Sequence, residues 1–237
     1  MILQGVAFAL SASDIVQLAY DHMRGDTSVA DVTMLIHRPD FERSMQMKGW
    51  SRGRSDALFF ITAPKKDAGN GTLKLGRQMW TYNPNINRVI KLPPSMMSQS
   101  WMGSDFSNND LSKTESMIDD YDHKLLSESE TGGKKTYVIE SIPKDGAAVV
   151  WGKVEMGIRE DGILIYQKFF DQDMKPVKVL ATTDIKMMGG RLFPASWVMK
   201  NLEEADRYTS ITYTSLEFDV KLPDRIFTTT FMKSAGE

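Results

Sequence analysis

Apolar and polar residues alternate with period two along most of this chain, and that alternation predicts a protein built mainly of half-buried β-strands. Ala30, Val32, Met34 and Ile36 fall on one face while Asp31, Thr33 and His37 fall on the other. Met45 and Met47 then oppose Ser44, Gln46 and Lys48. Further runs cover residues 56–63, 72–82 after an Asn70-Gly71 turn, and 88–92 after Asn83-Pro84-Asn85. Beyond an irregular stretch the pattern resumes over 122–129, 135–142, 148–159, 162–170, 177–188, 192–200 and 208–218. Short turns such as Thr131-Gly132-Gly133, Glu160-Asp161-Gly162 and Met188-Gly189-Gly190 join these runs. Roughly a dozen sequential strands with tight hairpins make one large, strongly curved antiparallel sheet or an open barrel.

Helical signals are few. Near the start, Ser13 serves as a cap, Ile15, Leu18, Ala19 and His22 share one face, and Gly25 supplies the stop. A second short helix is expected within 107–117, where Asn and Asp open the run. The C-terminal Leu222-Pro223-Asp224-Arg225-Ile226-Phe227 reads as a strand exit and an Asp-capped turn that anchors Phe227 and Phe231.

The irregular stretch, residues 93–121, exceeds the ~12–15 residues usual for a structureless connection. It carries Met96, Met97, Trp101, Met102 and Phe106 without strand or strong helix periodicity. Apolar side chains on such a segment need a surface to cover, and a lid over a binding cavity accounts for them. The cavity wall would come from Met34, Ile36, Met45 and Met47, from Trp80 and Tyr82, and from Val150, Val154 and Met156. An ordinary core would use the same wall residues; the five lid residues are what separate the two readings.

Composition narrows the chemistry. A chain of 237 residues without a linker or composition shift is expected to form one domain. Its 29 basic and 31 acidic residues leave a net charge of -2 with no basic cluster, which argues against nucleic acid as a partner. The absence of Cys removes thiolate zinc sites, catalytic thiols, disulfides and lipid attachment through an N-terminal cysteine. Sixteen Met residues point to adaptable packing surfaces. No apolar run reaches the ~18 residues of a transmembrane helix, so stable membrane insertion is not expected. Residues 1–12, MILQGVAFALSA, read as the remnant of an export signal or as an expression tail, with Val6-Ala7-Phe8-Ala9 similar to a signal-peptidase site.

Motifs for catalysis, metals and cofactors are weak. Gly49-Trp50-Ser51-Arg52-Gly53 matches G-x-S-x-G, yet the pattern runs on into another strand where a nucleophile elbow requires a helix. His22, His37 and His123 lack ligand spacing, and the aspartates near 105–110 and 119–122 lack the alternation, central Gly and closing Glu of a calcium loop. No phosphate-cradling Gly-rich loop occurs. No catalytic residue, metal or cofactor is therefore expected.

Several blocks carry a family likeness. Trp80-Thr81-Tyr82-Asn83-Pro84, Arg88 to Pro93, Met102-Gly103-Ser104-Asp105-Phe106, Asp110-Leu111 and Asp120-Tyr121 resemble the W-x-Y-x-P, R-x-x-x-x-P, G-S-D-F, D-L and D-Y series of outer-membrane lipoprotein-sorting proteins of the LolA-like superfamily. Phe170-Asp171, Val177 to Leu180, Gly190 to Pro194 and Leu222-Pro223-Asp224 with Phe227 extend the likeness over nearly the whole chain.

The resemblance implies an α+β, mainly β fold. Its single curved antiparallel sheet would form an incomplete barrel of roughly eleven strands, with an N-terminal helix and a helical or loop lid. Residues 13–237 would be one lipid-binding domain. Gly103, Ser104, Asp105, Asp110, Leu111 and Tyr121 would be motif residues with a structural role. The implied function is a non-enzymatic carrier or chaperone in the Gram-negative periplasm, with a lipid or acylated lipoprotein as partner. Two other readings fit the same scaffold: an accessory module that docks to an inner-membrane exporter, and an enzyme recruited onto the fold.

Overall fold

The computed structural model describes residues 10–113 and 115–235; the stretch with the peptidase-like Val6 to Ala9 lies outside the described residues. Helix α1 spans Ala12–Arg24. Its cap is Ser11 and not Ser13. Asp14 N donates to Ser11 Oγ at 3.1 Å and Ser11 N donates to Asp14 Oδ2 at 3.0 Å, so each side chain accepts from the other residue's otherwise orphaned N–H. Ile15, Val16 and Ala19 form the buried stripe, whereas Leu18 is exposed. The stop is Gly25, whose φ of 63° is costly for a residue with a Cβ.

Among the described residues thirteen strands follow where about eleven were expected: β1 Thr27–Arg38, β2 Phe41–Arg52, β3 Asp56–Ala63, β4 Gly71–Leu75, β5 Gln78–Asn83, β6 Arg88–Lys91, β7 Tyr121–Thr131, β8 Lys134–Pro143, β9 Lys153–Arg159, β10 Leu164–Phe170, β11 Pro176–Met188, β12 Arg191–Asn201 and β13 Tyr208–Phe218. The run at 72–82 divides because Gly76 turns the chain at φ 56°. The run at 148–159 becomes a strand only at Lys153. Before it, Ala147 N donates to Lys144 O and Val149 N to Ala147 O, both at 3.0 Å, which coils the chain back on itself.

All thirteen strands belong to one antiparallel sheet in the order β6-β5-β4-β3-β2-β1-β13-β12-β11-β10-β9-β8-β7. The long strand β1 sits near the middle, paired with β2 on one side and β13 on the other. Since β6 and β7 do not pair, the sheet stays open along one seam. These two edge strands are consecutive in the chain. The connection between them, residues 92–120, holds the short helices α2 Asn108–Ser112 and α3 Ser116–Asp119 in place of the single helix expected there.

One face of the sheet carries two adjoining apolar clusters. The first joins Ile15, Val16 and Ala19 of α1 to Ile139, Val154, Met156, Phe169, Trp197 and Met199. The second groups Val32, Met34, Ile36, Met45, Met47 and Ile61 with Trp101 and Phe193. Met34 stands directly opposite Met45, and Val32 opposite Met47, so alternation places these pairs on the same inner face. The outer face of β2–β5 is also covered, because the C-terminal segment folds over it. Ile226, Phe227 and Met232 of the final turn and of helix α4, Thr229–Ala235, pack on Leu58, Phe60, Leu73 and Tyr82. Among the described residues no helix is long and apolar enough to cross a membrane.

Phe227 is 4% exposed and seats this outer cover. Phe227→Ala should cost about 3 kcal/mol of unfolding free energy, the usual range for emptying a buried aromatic site. Urea denaturation followed by tryptophan fluorescence measures it; a loss below about 1 kcal/mol would mean that the cover packs only loosely.

Candidate functional site

The inner face of the sheet encloses a cavity of about 360 Å³. Its wall takes alternate residues from successive strands: Ala30 and Val32 of β1, Met47 of β2, Phe59 of β3, Met79 of β5, Phe169 of β10, Trp197 and Met199 of β12, and Ile211 and Tyr213 of β13. The inward side of α1 adds Ala19, Tyr20 and Met23. Over the seam, Trp101, Phe106, Leu111 and Met117 form the roof.

The roof is held by polar contacts along its length. Asp105 is the tightest of them. Arg38 Nη1 donates to its Oδ2 at 3.0 Å, Arg207 Nε to its Oδ1 at 2.9 Å, and Thr209 Oγ1 to its Oδ2 at 2.6 Å, with the carboxylate side chain 4% exposed. Arg38 Nη2 also donates to Gly103 O at 3.1 Å. Two cations thus fix one buried carboxylate and tie the Gly103-Ser104-Asp105-Phe106 turn to the ends of β1 and β13. The turn is tight because Met102 and Gly103 both have positive φ, 54° and 80°. Ser104, fully buried, donates from Oγ to Trp101 O at 2.7 Å and accepts from Phe106 N at 3.2 Å.

Asp110 makes the second anchor. It completes a capping box with Ser107 at the start of α2, and its Oδ2 accepts from Lys178 Nζ at 2.5 Å in a pair that is 9% exposed on each side. Lys178 Nζ also lies 4.8 Å from the centre of the Trp151 ring, a cation–π contact that offsets part of the lysine's desolvation. Further inward, Trp101 Nε1 donates to Thr72 Oγ1 at 3.0 Å and its ring meets Phe59 edge-on.

Where α3 reaches α1, the lining becomes polar. Lys74, 2% exposed, donates from Nζ to Ser55 O at 2.8 Å, to Arg54 O at 3.3 Å and to Glu115 Oε1 at 2.5 Å. Burial pushes the lysine below its ordinary range, opposed by its bond to Glu115. Burial also lowers Arg24, whose Nη1 donates to Gly53 O at 3.4 Å and to Arg54 O. Tyr20 accepts from Gln167 Nε2 at 2.8 Å, and burial drives its phenol up to about 12, so it stays neutral. Tyr213 is raised for the same reason.

Of the residues singled out in the sequence, Met47, Trp101, Phe106, Val150, Asp110, Leu111 and Tyr121 line the cavity. Met34, Ile36, Met45, Val154 and Met156 are buried on the same face, within the apolar clusters that back the wall. Val150 lies in the loop before β9 and not in a strand. Tyr121 donates from its hydroxyl to Trp151 O at 3.0 Å, which ties the start of β7 to that loop.

Trp80 and Tyr82 require a correction. They sit on the outer face, Tyr82 buried and Trp80 packed beside the cluster of Phe227 and Met232, because alternation along β5 turns Met79 inward. The pattern alone was ambiguous there, since both faces of β5 are covered. Met96 and Met97 are half-buried and do not line the cavity; their carbonyls accept from Asn108 Nδ2 at 3.0 Å and Asn109 N at 2.7 Å. Met102 packs on the cluster of β1 and β2.

Other lining residues escaped the sequence reading. Trp197 and Met199 lie on the inward face of the alternating run 192–200, which is the signal that marks them. Tyr20, Arg24, Lys74 and Ser116 carried no local signal, because they meet only through the folded chain. Ser51 of the G-x-S-x-G string does border the cavity, but its hydroxyl is 2.6 Å from Ser28 Oγ and no base stands in contact with it among the described hydrogen bonds. The histidines are far apart in role: His22 Nε2 lies 2.7 Å from Leu192 O, His37 stacks on Tyr208, and His123 Nδ1 lies 2.8 Å from Ser141 Oγ. Among the described residues no group of three His, Asp or Glu side chains is placed to hold a metal ion.

A family model described as "-like: Uncharacterized protein" matches residues 53–234. The chain belongs to that family. Among solved structures, a DUF1329 family protein from Desulfovibrio piger is 23% identical with a TM-score of 0.83, covering 94% of this chain and 100% of its own. A domain designated as outer-membrane lipoprotein-sorting, from Vibrio parahaemolyticus, is 21% identical with a TM-score of 0.81 over 94% of this chain and 98% of its own. A LolA superfamily protein from Nitrosomonas europaea is 22% identical with a TM-score of 0.77 over 94% of this chain and 100% of its own. The chain therefore has the LolA superfamily fold, as the motif blocks implied. No curated protein matches it by sequence.

The Asp105 anchor gives a direct test of how the roof is held. Asp105→Ala leaves two arginines without their shared carboxylate and should cost at least about 3 kcal/mol, with faster proteolysis between residues 94 and 118. Thermal denaturation and limited proteolysis measure the two effects. Wild-type proteolysis rates would show that the anchor does not hold the roof.

Proposed function

We propose that this protein is a non-enzymatic carrier or chaperone of the Gram-negative periplasm that binds lipoprotein acyl chains or another lipophilic ligand. Residues 13–237 act as one lipid-binding domain, and residues 94–118 act as a movable lid. The observation that carries this reading is the apolar cavity of about 360 Å³ beneath Trp101 and Phe106, on the open side of a sheet whose fold is shared with a lipoprotein-sorting domain. The periplasmic assignment rests on the same likeness of fold.

Driving force and exchange both follow from the lining. Each methylene that leaves water for the cavity contributes ~0.8 kcal/mol before the costs of ordering the chain are subtracted. Met23, Met47, Met79 and Met199 supply unbranched, polarizable walls that adapt to more than one chain shape, which suits cargo that must be released again. A cavity of this size lies near the lower end of the ~300–1,000 Å³ of ligand pockets and holds a single chain; larger cargo requires the lid to move. Trp101, whose indole Nε1 donates to Thr72 Oγ1, is the roof residue that such movement must displace.

Uptake of a fluorescent fatty-acid probe tests the proposal. Wild type should bind the probe saturably, Trp101→Ala should weaken binding by roughly tenfold through loss of a buried aromatic contact, and Met97→Ala should bind like wild type. Absence of saturable uptake by wild type would refute the carrier function.

A further inference from the structure

The charges that reach the cavity are mostly positive. Among the described residues its charged lining consists of Arg24, Lys74, Lys113 and Asp110, and the one acid in that set already holds Lys178 at 2.5 Å. Glu115, which accepts from Lys74, is not part of the lining. A ligand inside the cavity therefore meets cations where the apolar wall ends.

Two of these cations are held together. Arg24 Nη1 and Lys74 Nζ both donate to the carbonyl oxygen of Arg54, the lysine at 3.3 Å. Burial pulls each of them below its ordinary range, and repulsion from Arg24 adds to the effect on Lys74. Glu115 is the carboxylate that opposes the shift in both. Asp56 also acts on Lys74, but Arg52 donates to its Oδ2 from Nε at 3.2 Å and from Nη2 at 2.7 Å. Two buried cations against one carboxylate leave one positive charge in excess, and an unbalanced buried charge is costly. Next to Glu115 in the chain, Ser116 is 3% exposed, lines the cavity, and has an Oγ that meets no hydrogen-bond partner among the described residues. Its hydroxyl can donate to a carboxylate, which only accepts.

These features choose between headgroups. A cationic head would add a third like charge, a neutral head would leave the excess in place, and a head with one negative charge balances it. We propose that the cavity takes a single-chain anionic amphiphile of the fatty-acid class, its carboxylate facing Arg24, Lys74 and Ser116 and its chain lying along the Met- and aromatic-lined wall. This assignment rests on the carrier reading and adds the class of ligand to it. Lys74 keeps its bond to Glu115, so the charge of Arg24 is the one that the ligand balances.

The test is competition against a bound, neutral apolar dye by dodecanoate, its methyl ester and dodecyltrimethylammonium, below their micelle concentrations at about pH 8, where the acid is ionised. Dodecanoate should displace the dye at roughly tenfold lower concentration than the ester, the factor expected of a buried charge-assisted contact, and the ammonium should be the weakest of the three. In Arg24→Gln the preference for the acid over the ester should shrink to about twofold or less with ester binding retained, and Arg24→Lys should keep most of it. Circular dichroism shows which variants fold; if Arg24→Gln does not, the wild-type ranking decides alone. Equal displacement by acid and ester, tighter binding of the ammonium, or an undiminished preference in folded Arg24→Gln would overturn the headgroup assignment and leave the carrier reading standing. Failure of wild type to bind the dye or any of the three would overturn both.

Discussion

An antiparallel sheet that stops short of closing leaves two unpaired edges and one apolar face open to water, and the rest of this structure answers that constraint. The unpaired edges are β6 and β7, which follow each other in the chain, so the segment between them must cross the seam. That segment cannot pair as another strand, being broken by Pro93 and Pro94 and by the positive-φ turn at Met102 and Gly103. It lies over the opening instead, with Trp101 and Phe106 directed inward. The edges themselves are guarded against pairing with other chains by brevity in β6 and by the charges Asp122, Lys124, Glu128 and Glu130 along β7.

How the crossing segment is attached shapes what it can do. Its contacts with the barrel are concentrated in buried, directional pairs, Asp105 with Arg38 and Arg207, and Asp110 with Lys178. Near α3, Lys74 and Glu115 add a third. Such pairs specify one closed position more than they add net stability, because desolvation consumes much of the attraction. Beside the anchors, Trp101, Phe106, Leu111 and Met117 bring apolar surface to the cavity. This arrangement fits a roof that returns to one place after letting an apolar ligand pass, which is what the proposed carrier function requires.

Much of the fold was legible in the sequence because alternation and turn residues are local signals. The inward set Val32, Met34, Ile36, Met45 and Met47 follows from period two alone. The errors have local causes as well. Gly76 sits inside one alternating run, Ser11 and Ser13 both offer a cap and only the pairing with Asp14 selects Ser11, and the C-terminal cover that takes Trp80 and Tyr82 to the outer face has no signature near β5. The Gly103-Ser104-Asp105-Phe106 block stood out, yet its partners Arg38, Arg207 and Thr209 lie far away in the chain. The polar end of the cavity is hidden for the same reason: Arg24, Lys74 and Ser116 come from three separate elements, and only folding brings them together.

The central claim is that the cavity under the crossing segment holds a lipophilic molecule. Native mass spectrometry of the protein, purified gently from its own cells without detergent, tests this most directly. The account predicts a one-to-one adduct of lipid mass that disappears on denaturation. A spectrum showing only the ligand-free mass, unchanged after incubation with lipid vesicles, would contradict it.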